Sequence, residues 1–157
     1  KGFLEPLTDF AVNYISAMNL AKERGVEVVE SKSTLEYQYT NLITIETEME
    51  NGQTNKICGT LYTKEMPRIV ILNDRYFNAV PSGNMLVIKN KDVPGTIGTV
   101  CTILGNHNVN IADLTWGRNK PLGDAMTIIN TDHEITADIV KEIDAHENIL
   151  SVKFIKV

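Results

Sequence analysis

Three observations predict an α+β fold for this chain of 157 residues. A stripe of apolar residues at helical spacing lies near the N-terminus, two alternating apolar and polar hairpins follow, and beyond residue 83 the elements read βαββαβ. Pro81-Ser82-Gly83 is the linker between the two parts. The expected domains are therefore residues 1–82 and 83–157. At 43% apolar and 22% charged residues, the composition fits an ordinary globular chain of one domain or two small ones.

Phe10, Ala11, Tyr14, Ile15, Met18 and Ala21 recur at the spacing of one helix face. Thr8-Asp9 is the expected N-cap, a bend is expected near Ser16, and Gly25 is the stop. Val26, Val28 and Val29 suggest a short strand, and Ser31 to Thr40 is polar apart from Leu35, Tyr37 and Tyr39. Ile43, Ile45, Thr47 and Met49 then alternate with Thr44, Glu46, Glu48 and Glu50, the period of a strand with one wet face. Asn51-Gly52 predicts a hairpin turn because both residues tolerate positive φ, with Asn55 to Tyr62 as the returning strand. Arg68 to Leu72, the turn Asn73-Asp74 and Arg75 to Val80 make a second hairpin.

In the second part, Met85 to Lys91 is a strand, and Ile97, Val100, Cys101 and Leu104 form a helical stripe that stops at Gly105-Asn106. Val109 to Arg118 and Asp124 to Asn130 are strands about a Pro-Gly turn, a helix capped near Thr136 carries Ile139, Val140 and Ile143, and Ile149 to Val157 closes the unit. This order is the split-βαβ, ferredoxin-like arrangement, two helices on one face of a four-stranded antiparallel sheet. Leu86 and Ile88 have one parity, Met85 and Val87 the other, so the face away from the helices needs a cover. The second strand should lie at the sheet edge, open to pairing with another copy.

The loop Asn90-Lys91-Asp92-Val93-Pro94-Gly95-Thr96 joins a strand end to a helix start. Pro94 suits a first helical position and Gly95 allows close approach to the backbone, while free amides of the first turn attract an anion such as a carboxylate. Asp92 and Asn110 are the nearby polar candidates. The formal charge of -5 gives no general attraction for nucleic acid, and the first and third strands of the second part carry none of the aromatics that an RNA-binding sheet of this order needs. No apolar run approaches the length of a membrane span, and no signal peptide is visible. Cys58 and Cys101 lack the spacing of a metal knuckle or redox pair, and the three histidines are scattered, so no metal site is expected and the reduced cytoplasm is the expected compartment. No dinucleotide fingerprint, nucleophile elbow or paired acid and base appears, so no catalytic residue is expected in this chain. It begins with Lys1 shortly before a predicted helix and reads as part of something longer.

Asn90-x-Asp92-x-Pro94-Gly95, Asn108-Val109-Asn110-Ile111-Ala112 and Gly117-Arg118, set in the βαββαβ order, resemble an ACT domain, a small amino-acid-binding regulatory module. Gly2-Phe3-Leu4, Val12-Asn13, Leu20-Ala21-Lys22-Glu23-Arg24-Gly25-Val26, Glu30-Ser31-Lys32, Asn41-Leu42-Ile43-Thr44 and Gly59-Thr60-Leu61 are similar to the intervening domain of long-form D-3-phosphoglycerate dehydrogenases. The resemblance covers nearly the whole chain. It implies a regulatory region lacking the start of the intervening domain and the catalytic body, with NAD as cofactor of the parent enzyme and none here. Met18 stands where the family often has proline, and Val93 where an arginine often precedes Pro-Gly.

The resemblance also implies L-serine or a related small amino acid as ligand, bound between two subunits of a homodimer or tetramer formed through both domains. The residues it points to are Asn90, Asp92, Val93, Pro94, Gly95, Thr96, Asn110 and Ile111. An ammonium needs an anion such as Asp92, a carboxylate needs donors such as the loop amides, and both asparagines donate and accept. Arg68 and Arg75 are candidate anion-binding residues, because two guanidinium groups on one hairpin would clamp a phosphate. Trp116 is expected in the core or an interface. The alternatives are the regulatory region of an iron-sulfur L-serine dehydratase beta subunit, or another amino-acid-binding ACT module.

Overall fold

The computed structural model describes residues 1–32, 39 and 41–157. They fall into two compact units, Lys1–Glu36 and Tyr37–Val157. The polar stretch predicted from Ser31 to Thr40 lies mostly outside the described residues.

In the first unit, Glu5–Leu7 make a single 3-10 turn and α1 spans Ser16–Glu23. The predicted helix is thus shortened at its start, because the cap is Asn13 and not Thr8-Asp9. Asn13 Oδ1 accepts from the amides of Ile15 (2.9 Å) and Ser16 (2.8 Å), and Ser16 Oγ accepts from Asn13 N at 3.1 Å. Thr8 spends its hydroxyl on the carbonyl of Phe10 instead. Ser16, where a bend was expected, is the first helical residue. Gly25 takes φ 70° and the Val26 amide returns to the Ala21 carbonyl at 2.8 Å, closing the helix as its sequence predicts. Leu4, Val12, Ala17, Leu20 and Ala21 form the small core of this unit. Val26 to Val29 are coil and not strand.

The second unit holds two sheets. The first is built from β1 (Ile43–Glu48), β2 (Thr54–Leu61), β3 (Pro67–Leu72) and β4 (Arg75–Ala79), antiparallel neighbours in chain order. Asn73 and Asp74 have φ of 47° and 61°, the tight primed turn expected of them. The Asn51-Gly52 turn is looser than predicted. Only Gly52 is left-handed there, at φ 76°, while Asn51 uses its side chain to accept the Gln53 amide.

The second sheet comes from β5 (Asn84–Lys91), α2 (Thr96–Asn106), β6 (Ile111–Arg118), β7 (Asp124–Thr131), α3 (Ala137–Asp144) and β8 (Ile149–Lys156). Its strand order is β6-β7-β5-β8, the predicted ferredoxin-like arrangement, and β6 forms one edge. Asn108 follows the end of α2 in the left-handed region at φ 57°, and the Val109 amide reaches back to the Leu104 carbonyl.

Both faces of the central strands are buried, each under a different layer. Leu86, Ile88 and Ile129 pack with Val100, Ile103 and Leu104 of α2 and with Ile139 and Ile143 of α3. Met85, Met126 and Ile128 pack on the opposite side with Phe77 and Ala79 of β4, joined by Ile69, Leu72 and Val87. The apolar face left over by the helices is therefore covered by the chain's own first sheet. Asn130 ties the linker down by donating to the carbonyls of Val80 (3.0 Å) and Ser82 (2.9 Å).

Gly117 of β6 is the point of closest approach, where a Cβ would stand 2.8 Å from Phe77 Cζ and 2.9 Å from the Tyr76 carbonyl oxygen. The carbonyl is fixed in a strand and cannot yield. Gly117→Ala is expected to lower stability by about 1–3 kcal/mol through overpacking. Phe77→Ala should cost about 3–5 kcal/mol through the cavity it leaves. Denaturant midpoints of the purified variants check both.

Candidate functional site

β5 runs out at Lys91, and the next residues turn into α2 over a short loop held by backbone bonds. The Val93 carbonyl accepts from Thr96 Oγ1 at 3.1 Å, and Thr96 is buried beneath the loop. Gly95 is the N-cap with φ 88°, a conformation that a β-carbon would strain. The helix starts at Thr96, so Pro94 precedes it and does not occupy its first position as expected. Thr99 N bonds to the Gly95 carbonyl, leaving the amides of Ile97 and Gly98 without a carbonyl partner in the turn.

Asp92 is 8% exposed, and its Oδ2 accepts from Arg118 Nη1 at 2.9 Å and from the Leu122 amide at 3.1 Å. Its own amide donates to the Gly123 carbonyl at 2.8 Å. The acid thus clips the end of β5 to the turn between β6 and β7. Arg118 lies with its guanidinium 5.5 Å from the centroid of the Trp116 ring. Trp116 is 46% exposed, outside the core, which was one of the two places expected for it, the other being an interface. Sequence reasoning placed Gly117-Arg118 in a motif without giving Arg118 a role. The signal available was an acid directly after a strand and an arginine at the end of the edge strand, and only the sheet register joins them.

The register places each candidate. Asn90 and Arg118 are both opposite Ala125 of β7, so they share one end of the sheet, while Ile111 is opposite Thr131 at the other. Asn90 is buried, accepting from Thr127 Oγ1 and donating to the Lys91 carbonyl, so it braces the strand end from inside. Asn110 precedes β6 and donates to Asp132 Oδ2 at 2.6 Å. At a strand rise of about 3.3 Å per residue, Asn110 lies roughly 25 Å from the Asp92 end of its own sheet. One chain does not bring Asp92 and Asn110 together.

Arg68 and Arg75 also stay apart. Arg75 is opposite Leu72 beside the turn, whereas Arg68 is four residues back along β3 and opposite Thr60 of β2, so the two guanidinium groups do not form a clamp. Arg68 lies over the Tyr62 ring, and Arg75 donates to the Asn73 and Asp124 carbonyls. No group of three or more His, Cys, Asp or Glu side chains fit to hold a metal is found among the described residues, and no helix there is long and apolar enough to cross a membrane.

Comparison with known proteins agrees with this architecture. Residues 1–73 match the D-3-phosphoglycerate dehydrogenase intervening domain, and residues 84–148 match the ACT domain. The chain is 34% identical to the D-3-phosphoglycerate dehydrogenase of Methanocaldococcus jannaschii over 99% of its own length and 29% of that protein's. The Bacillus subtilis enzyme gives the same figures, and the Archaeoglobus fulgidus enzyme is 31% identical over 99% of this chain and 30% of its own. The chain thus spans under a third of the length of these curated relatives.

Removing the acid strands its partners. Asp92→Ala is expected to destabilise the chain by about 1–3 kcal/mol, because the Leu122 amide and the Arg118 guanidinium both lose an ionised acceptor. Equilibrium unfolding measures the loss, and hydrogen exchange should place it at the turn after β6.

Proposed function

Because the chain belongs to the regulatory region of the D-3-phosphoglycerate dehydrogenase family, an intervening domain followed by an ACT domain, we propose that it senses L-serine for a parent NAD-dependent enzyme of serine biosynthesis. The observation that carries this reading is the split of the candidate residues between the two ends of β6. Asp92 and the loop amides lie at one end, Asn110 and Ile111 at the other.

A twofold axis that paired the exposed edges of two β6 strands antiparallel would reverse one against the other. Asn110 of each copy would then meet Asp92 of its mate, which gives two identical sites per dimer. In each site Asp92 receives the ligand ammonium, while the free amides of Ile97 and Gly98 and the partner's Asn110 receive its carboxylate and hydroxyl. Val93, Pro94, Gly95 and Thr96 contribute backbone, and Asn90 supports the strand end from beneath. Val93 brings no charge to the loop, so the ligand's carboxylate depends on backbone donors.

Such a ligand stabilises the pair because it contacts both copies, and in the parent enzyme it would bias how the catalytic bodies sit. The intervening domain would take a second part in oligomerisation through surfaces other than Phe77 and Ala79, which are already buried. The cytoplasm is the compartment this reading assigns to it.

Calorimetric titration tests the reading directly. L-serine is expected to bind at two sites per dimer, and Asp92→Ala or Asn110→Ala alone should lose binding at both. A mixture of the two variants should regain one functional site per mixed dimer, since each supplies what the other lacks. A ligand-free result for the unmodified chain, or equal loss in the mixture, overturns the proposal.

A further inference from the structure

Arg118 stands beside Asp92 at this end of the sheet, and the amino-acid reading gives it no role. Its guanidinium and the Leu122 amide both reach the same oxygen of Asp92, so Oδ2 is committed to the protein. Oδ1 has no hydrogen-bond partner among the described residues and is not sealed from solvent. An ionised carboxylate accepts at both oxygens, so the outer one stays available to a ligand. Arg118 is half exposed while Asp92 is 8% exposed, so the cation sits at the mouth of the site and the anion behind it. The Trp116 ring beside the guanidinium limits where it can swing.

Resting on the amino-acid reading above, we propose that Arg118 is the specificity-determining residue of this site, selecting zwitterions over simple amines. An unpaired carboxylate at this depth would attract any cation. Paired with Arg118, it presents no net charge. A free amine then brings a second positive charge beside a guanidinium with nothing to offset it. An amino acid carries its own carboxylate, which the guanidinium and the loop amides attract. Arg118 therefore does two things, aiming Asp92 Oδ1 outward and penalising ligands that lack an acid group.

The test compares L-serine with serinol, in which a hydroxymethyl group replaces the carboxylate, by calorimetry on the unmodified chain, Arg118→Gln and Arg118→Lys. The unmodified chain is expected to prefer L-serine by at least about tenfold, the scale of one charge-assisted contact. Arg118→Gln should shrink that preference about tenfold or more by weakening L-serine and strengthening serinol, and Arg118→Lys should restore most of it. Equal weakening of both ligands in Arg118→Gln would mark a merely structural role and overturn the inference while leaving the serine site standing. Should Arg118→Gln not fold, serinol binding as tightly as L-serine to the unmodified chain overturns it. Failure of the unmodified chain to bind L-serine removes the underlying site and the inference together.

Discussion

A central strand that is apolar on both faces must be covered twice, and the second unit of this protein is arranged to do so. β5 buries Leu86 and Ile88 under the two helices and Met85 under β4, with Val87 packed against the same layer. Each buried aliphatic side chain contributes roughly 1.5–3 kcal/mol, so neither cover is dispensable in a chain of this size. The constraint explains why the second hairpin carries Phe77 and Ala79. It also explains Gly117, whose missing side chain lets the two layers meet.

With both faces occupied, the edges and the strand ends are what remain for recognition. The β5 end is closed by Asn90 from inside and by Asp92 from the side, and Asp92 draws in the turn after β6. The site is thus assembled from three pieces of chain that only the sheet order makes neighbours. Arg75 reaches the same turn from the other layer, donating to the Asp124 carbonyl.

Much of this was legible in the residues. The βαββαβ order, the uncovered face, the edge position of β6 and the Asn73-Asp74 turn all followed from periodicity and turn chemistry, which are local. The failures were competitions between local signals or matters of register. Thr8-Asp9 was the expected cap, but Asn13 caps the helix because Ser16 returns its bond. Val26 to Val29 have strand propensity but no strand beside them among the described residues. Arg68 and Arg75 looked paired until the register put one near the turn and the other far from it. The Asp92 to Arg118 contact spans 26 residues, and no pattern in the intervening sequence announces it.

The turn from Asn119 to Gly123 is fastened to both layers of the second unit. It is moored on two sides, by Leu122 and Gly123 to the acid at the end of β5, and through the adjoining Asp124 to a guanidinium of the neighbouring layer. Leu122 sits there in a left-handed conformation at φ 58°, so the loop is held in a cocked shape that its moorings maintain. The same short turn is therefore a fastening shared by both layers of the second unit.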